Sequence, residues 1–183
     1  MNRENTERNT QEETFSLETL FATIIKVKNG VAKKRVIFDQ GPVGGIAVKW
    51  IILFLISLPI MLYAGIFNPT MFKMLGIAQA IIFFVVFLSM VMIMVFAIIF
   101  INNSKVTRKI NPTWEQSFKD VDLKLALASA GTPYKDFLKY YAKAVQNGLT
   151  GEALEKRLQE NFAQMESENQ SLVDAIRKDK TKR

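Results

Sequence analysis

Two pairs of carboxylates are the side chains in this sequence best suited to chemistry. Asp120 and Asp122 form one pair, and Glu166 and Glu168 form the other. Paired carboxylates can act as general acid and general base. In a helix, however, residues two apart point in different directions, so neither pair converges on one reacting atom. We expect all four to be surface residues.

The composition removes most other catalytic chemistry. The 183 residues include no histidine and no cysteine. Imidazole bases, thiol nucleophiles, disulfides and the usual zinc ligands are therefore excluded. The sequence also has no G-x-G-x-x-G, G-x-x-x-x-G-K-[ST] or H-E-x-x-H motif. We expect a protein that is not an enzyme and that binds no cofactor and no metal.

Two long apolar runs lie in the middle of the chain. Residues 50–67 and 75–101 contain no Asp, Glu, Lys or Arg. They predict a transmembrane hairpin over residues 45–103, with spans at about 48–67 and 75–101. At about 1.5 Å per residue, the second run is longer than a hydrocarbon core of about 30 Å, so we expect it to tilt or protrude. The predicted fold class is an all-α membrane protein.

Within the spans, few residues stand out from the apolar background. Pro59 predicts a kink in the first helix, because proline removes a backbone donor and crowds the preceding turn. Small residues predict close helix packing near the connecting loop. They are Ala64, Gly65, Gly76 and Ala80. In the second run the polar residues are Gln79 and Ser89, and the absence of embedded charge in both runs argues against a proton or ion pathway.

The orientation follows from the basic residues beside the spans. Seven of them lie on the terminal sides of the two runs: Lys33, Lys34, Arg35, Lys49, Lys105, Arg108 and Lys109. The connecting loop carries only Lys73. The positive-inside rule then predicts cytoplasmic N- and C-termini, and we expect a bacterial inner membrane. These flanks also account for much of the net charge of +7, so we expect no nucleic-acid partner.

The N-terminal flank divides into two predicted segments. Residues 1–15 are polar and predict a disordered head. Residues 16–44 predict an amphipathic, basic juxtamembrane segment, with Ser16 as the N-cap of a helix. We expect one face of this segment to lie on an anionic bilayer surface. The face comprises Leu17, Leu20, Phe21, Ile24, Lys26, Lys28, Lys33, Lys34 and Arg35.

An alternative remains open for residues 25–38. Alternating apolar and basic residues on both sides of Asn29-Gly30 are also typical of a two-residue β-hairpin. The helical interpretation is favoured, because an isolated two-stranded hairpin is marginally stable without a partner surface.

The C-terminal flank predicts a cytoplasmic helical module over residues 111–178, followed by a basic tail at 179–183. Helix starts are predicted at Thr113, at Thr132-Pro133 and at Thr150. The three helices can form a closed bundle or an extended array. Five aromatic residues at helical spacing are expected in the module core or at a partner-binding surface. They are Trp114, Phe118, Phe137, Tyr141 and Phe162.

Three functions fit this organisation. The favoured hypothesis is a non-enzymatic scaffold or assembly subunit, in which the hairpin anchors a protein-interaction module within a multi-subunit membrane machine such as a secretion or conjugation system. Its partners would be the lipid bilayer and other subunits, including copies of itself. One alternative is an oligomeric pore lined by Gln79 and Ser89. The other is a protein that senses or remodels the membrane surface.

Overall fold

The computed structural model describes residues 15–39, 46–128 and 131–181. The predicted disordered head and the end of the basic tail fall outside these residues, apart from Phe15 and residues 179–181. The chain is mostly helical, as predicted. Its elements are α1 (Leu17–Ile24), β1 (Ile25–Lys28), β2 (Val31–Lys34), α2 (Val48–Ile66), α3 (Pro69–Leu75), α4 (Ile77–Ser117), α5 (Leu123–Leu127), α6 (Phe137–Gln146), α7 (Gly151–Glu168) and α8 (Gln170–Thr181).

The chain forms two compact units. One, which we name the mixed unit, comprises the residues up to Arg35 and those from Lys109 onward. The other, the apolar unit, comprises Val36–Arg108. The long helix α4 contributes residues to both. Residues 16–35 of the predicted juxtamembrane segment 16–44 belong to the same unit as the C-terminal helices.

In the apolar unit, α2 and α4 are long and apolar enough to cross a membrane. Their mean hydropathies are 2.0 and 3.1 in the most apolar windows. Each helix buries only a narrow stripe of its own side chains, and its remaining apolar side chains are exposed. In α2 the buried positions include Val48, Ile52, Leu55 and Pro59, which recur every three or four residues as one helix face requires.

The connection between these helices differs from the prediction. The short helix α3 occupies it, with the Asn68 side chain accepting a hydrogen bond from the Thr70 N–H at 3.1 Å. Gly76 ends α3 with φ of 77°, a conformation that favours glycine. Helix α4 therefore begins at Ile77, and Gly76 and Ala80 do not form a small-residue pair on one helix.

The prediction that a new helix starts at Thr113 is wrong. Helix α4 continues through Pro112 to Ser117. A proline removes one backbone hydrogen bond from a helix, but Ile110 and Trp114 on either side are both fully buried, and their packing holds the helix together. The Thr113 hydroxyl accepts a hydrogen bond from the Phe15 N–H at 3.2 Å instead of capping a helix.

The β-hairpin is the clearest departure from an all-α fold. Strands β1 and β2 pair antiparallel, with Lys26 opposite Lys33 and Val27 opposite Ala32. Asn29 and Gly30 have φ of 51° and 75°, as the two central residues of a type I′ turn require. The favoured helix over residues 25–28 is therefore wrong and the hairpin alternative is right. The mixed unit supplies the partner surface that an isolated hairpin lacks, because β2 packs on α6.

The C-terminal helices differ in number from the prediction. The predicted third helix is divided at Asn169 into α7 and α8, and the predicted first helix is replaced by the end of α4 and the short helix α5. The Asn169 side-chain amide donates to the Met165 carbonyl at 2.8 Å, which satisfies a carbonyl near the end of α7. Together with α1 and the hairpin, these helices surround one shared core.

Candidate functional site

The five aromatic residues named as module core or partner surface lie in the core of the mixed unit. Each is at most 5% exposed. The Phe162 ring is stacked on Phe137 at 5.2 Å between centroids and meets Phe118 edge-on at 5.0 Å. The Trp114 Nε1 donates a buried hydrogen bond to the Val121 carbonyl at 2.7 Å. These side chains hold α4, α6 and α7 together and present no aromatic surface to a partner.

The apolar face predicted to lie on a bilayer is also part of this core. Leu17 is 7% exposed, and Leu20, Phe21 and Ile24 are 0% exposed. Phe21 contacts Trp114 at 6.0 Å and Tyr141 at 4.8 Å between ring centroids. The membrane-surface prediction is therefore wrong for these four residues, because the C-terminal helices already cover them.

The basic residues of the same segment have a different environment. Lys26, Lys28, Lys33 and Lys34 are exposed on the hairpin. Lys26 and Lys33 face each other across the strands, and like charges directly opposite each other destabilise a sheet. Arg35 is partly buried, and its Nε donates to the Ile25 carbonyl at 3.3 Å. The outer face of the hairpin is thus strongly cationic.

A groove lies between β2 and α6, with a volume of about 550 Å³. We name it the lysine groove. Its nine lining residues are Gly30, Val31, Ala32, Lys135, Leu138, Lys139, Ala142, Lys143 and Gln146. The three lysines are four residues apart and exposed, and none of the nine described lining residues is acidic. The sequence did not predict this site, because its two sides, β2 and α6, are more than a hundred residues apart in the chain.

The residues predicted inside the membrane are mostly exposed in the apolar unit. Gln79 is exposed, and the Ser89 hydroxyl donates to the Val85 carbonyl of its own helix at 2.9 Å. Ala64 and Gly65 are exposed as well, and a Cβ at Gly65 would have no neighbour within 4 Å. Ala64 and Gly65 are thus not buried against another helix in the described part of the chain, and helix packing through them stays a prediction.

Aromatic rings pack near the loop where small residues were expected. Tyr63 lies 4.7 Å from Phe67 and 5.9 Å from Phe84 between ring centroids, and Phe67 contacts Phe72 at 5.8 Å. Ala80 is fully buried, and α2 runs through Pro59 as a single helix.

Two adjacent asparagines in α4 hold the segment that precedes α2. The Asn103 Oδ1 accepts from the Phe38 N–H at 2.8 Å, and its Nδ2 donates to the Val36 carbonyl at 2.8 Å. Asn102 is 2% exposed and donates to the Phe38 carbonyl at 2.9 Å. The sequence signal was present, since both asparagines directly follow the second apolar run, but their partners lie more than sixty residues away.

A buried tyrosine joins the turn before α6 to α7 and α8. The Tyr134 hydroxyl donates to Glu166 Oε1 at 2.5 Å, and Arg177 Nη2 lies 3.4 Å from Glu166 Oε2. Burial, followed by the hydrogen bond to the Glu166 carboxylate, raises the pKa of Tyr134 well above its usual value of about 10. Glu166 is thus in contact with two side chains of its own unit, one from the turn before α6 and one from α8.

Comparison of the chain with protein-family models, with curated proteins and with solved structures gives no match. Within the described residues, no three or more Asp or Glu side chains form a group that could hold a metal ion.

Proposed function

We propose that this protein is a non-enzymatic membrane subunit that holds the mixed unit at the bilayer as a docking module for other proteins. The observation that carries the proposal is the helix α4. It combines an apolar segment long enough to span a membrane with Ile110 and Trp114, which are fully buried in the core of the mixed unit. The apolar segment and these two core residues therefore belong to one continuous helix.

The exposure of the apolar helices supports the membrane part of the proposal. Only 11% of the most apolar 18-residue stretch of α2 and 6% of that of α4 is buried. Exposed apolar patches of this size are unfavourable in water, whereas they match the hydrocarbon core of a bilayer. Trp50 and Tyr63, 65% and 56% exposed near opposite ends of α2, suit the two interfaces.

The positive-inside rule favours cytoplasmic N- and C-termini, and the membrane in this proposal is a bacterial inner membrane. The natural setting would be a multi-subunit membrane machine, of which secretion and conjugation systems are examples. Because the chain has no cysteine, single cysteines report its topology without background. We expect a membrane-impermeant maleimide to label Thr70→Cys from outside intact cells, and Ser171→Cys only after lysis. The reverse labelling pattern would show that the N- and C-termini lie outside, and it would refute the proposed topology.

Docking is tested by photo-crosslinking from exposed positions of the mixed unit in intact cells. We expect discrete crosslinks to other chains, and co-purification of the same chains in mild detergent. A lone monomer that acquires no crosslink from any exposed face would refute the docking role. Ion flux through reconstituted liposomes above that of empty vesicles would support the pore alternative instead.

A further inference from the structure

We propose that the lysine groove binds an extended acidic peptide segment of a partner protein, added as a third strand at the free edge of β2. The inference rests on the proposed docking function and names the chemistry of the partner. Two independent features lead to it, the hydrogen-bonding pattern of the hairpin and the charge of the groove.

Within the residues that the structure describes, backbone groups of β2 on the side of the groove have no hydrogen-bond partner in the hairpin. Antiparallel pairs alternate between hydrogen-bonded and non-hydrogen-bonded positions. Arg35 donates its N–H to the Ile24 carbonyl at 2.9 Å, so the Ala32 and Lys34 positions on the same strand are non-hydrogen-bonded. Their N–H and C=O groups point away from β1. Ala32 lines the lysine groove, which presents a donor and an acceptor to an incoming strand.

The floor of the groove fixes the charge of that strand. Lys139 and Lys143 are four residues apart in α6, a rise of about 6 Å in a helix. Lys135 precedes them by four residues, in the turn before α6. Alternate residues of an extended strand are about 6.6 Å apart. An added strand with acidic residues at alternate positions therefore places successive carboxylates beside successive lysines.

The direction of those carboxylates follows from the hairpin. Ala32 is 9% exposed on a strand that packs on α6, so the side of β2 that carries Ala32 faces this helix. Residues of an added strand that share this side point toward the same helix. Leu138 and Ala142 lie between the lysines and offer apolar contact.

The groove suits a peptide better than a lipid surface. A bilayer presents no backbone donors and acceptors for the β2 edge, whereas an extended peptide satisfies them. A second cavity of the mixed unit, of about 410 Å³, contains Glu18 together with Lys26 and Arg35. Its mixed charge selects neither sign, so of these two cavities the lysine groove has the more defined ligand chemistry.

The test uses the full chain in nanodiscs of neutral phosphatidylcholine. The probe is a fluorescein-labelled heptapeptide with glutamate at positions one, three, five and seven and threonine between them, and fluorescence anisotropy measures its binding. We expect the combined substitutions Lys135→Gln, Lys139→Gln and Lys143→Gln to weaken binding at least about tenfold. A matched control removes three exposed lysines elsewhere on the mixed unit, through Lys119→Gln, Lys124→Gln and Lys156→Gln, and should change binding less than about twofold.

Strand addition has its own control. A probe methylated on alternate backbone nitrogens along one edge cannot pair with β2 through that edge, and methylation of the opposite edge leaves the pairing intact. We expect only one of the two methylated probes to bind. The proposal would be overturned if the groove variant and the control variant lost the same amount of probe affinity. It would also be overturned if a probe with glutamine in place of glutamate bound equally well, or if both methylated probes bound. Displacement of the probe by phosphatidylglycerol vesicles with unchanged affinity for both methylated probes would overturn it as well, and would assign the groove to lipid.

Failure of this inference is distinguishable from failure of the docking function. If the probe does not bind but chains still crosslink to the mixed unit, the groove proposal fails and the docking function stands. If no chain crosslinks or co-purifies, the docking function fails whatever the probe does.

Discussion

Replacing Phe21 by alanine tests whether α1 belongs to the core of the mixed unit or to a membrane surface. Phe21 is 0% exposed, and its ring lies 4.8 to 6.0 Å from three other aromatic rings. A buried Phe→Ala change costs about 3–5 kcal/mol, and aromatic pairs contribute about 0.5–1.5 kcal/mol beyond area burial. We therefore expect a loss of about 4 kcal/mol in the free energy of unfolding.

Tryptophan fluorescence provides the assay, because the chain has only two tryptophans. Trp50 is 65% exposed and lies outside the mixed unit, whereas Trp114 is 0% exposed within it. In a Trp50→Phe background, Trp114 alone reports unfolding of the mixed unit in urea, in the detergent-solubilised full chain. With a slope of about 2 kcal/mol per molar urea, the expected loss lowers the midpoint by about 2 M.

The matched control is Val31→Ala, which truncates a side chain of the same unit that is 54% exposed. We expect it to change stability by less than about 0.5 kcal/mol. If Phe21→Ala leaves the midpoint within about 0.3 M of the background while weakening vesicle binding, the assignment of α1 to the core is refuted and the membrane-surface interpretation regains its basis.

Three further predictions follow from single contacts. Gly30→Ala should lower the free energy of unfolding of the mixed unit by about 1–2 kcal/mol, because φ is 75° and the new Cβ would clash with Gln146 Nε2. Adding Gln146→Ala should restore only part of that loss, and full restoration would contradict the backbone argument. Asn103→Ala should speed hydrogen exchange at the Phe38 amide severalfold, since it removes the acceptor of that N–H; unchanged exchange would show that the bond does not protect the segment. The folded pKa of Tyr134 is raised above its unfolded value of about 10, so the contribution of this group to stability is fully present below pH 10 and is lost as the pH rises above it. Urea midpoints between pH 9 and 11 should therefore fall less steeply in Tyr134→Phe than in the unmodified chain. Parallel slopes would count against a raised pKa of Tyr134.

The apolar helices show which features are predictable from local sequence. Uncharged runs of this length identify α2 and α4 directly, because a span is defined by length and hydropathy alone. The aromatic residues Trp114, Phe137 and Phe162 were also expected in a core, since their spacing marks one helix face. The ends of elements were less predictable, as the continuation of α4 through Pro112 shows.

The segment after α1 shows why local patterns are insufficient. Leu17 to Lys28 follow helical spacing, and Ile25 to Lys34 also follow the alternation of a hairpin, so two structures compete for the same residues. The hairpin is the observed structure because β2 packs on α6 and Phe21 fills the core beside Tyr141. Neither contact is visible in a window of ten or twenty residues.

The sequence by itself determined the two apolar helices, the excess of positive charge beside them and the lack of imidazole and thiol chemistry, because these depend only on residue type and order. The tertiary structure decided that the amphipathic face of α1 meets protein and not lipid, and that β2 and α6 form a lysine-lined groove. The physical reason is that burial and charge clustering depend on which distant segments come together. Here the segments that meet are separated in the sequence by all the residues of the apolar unit.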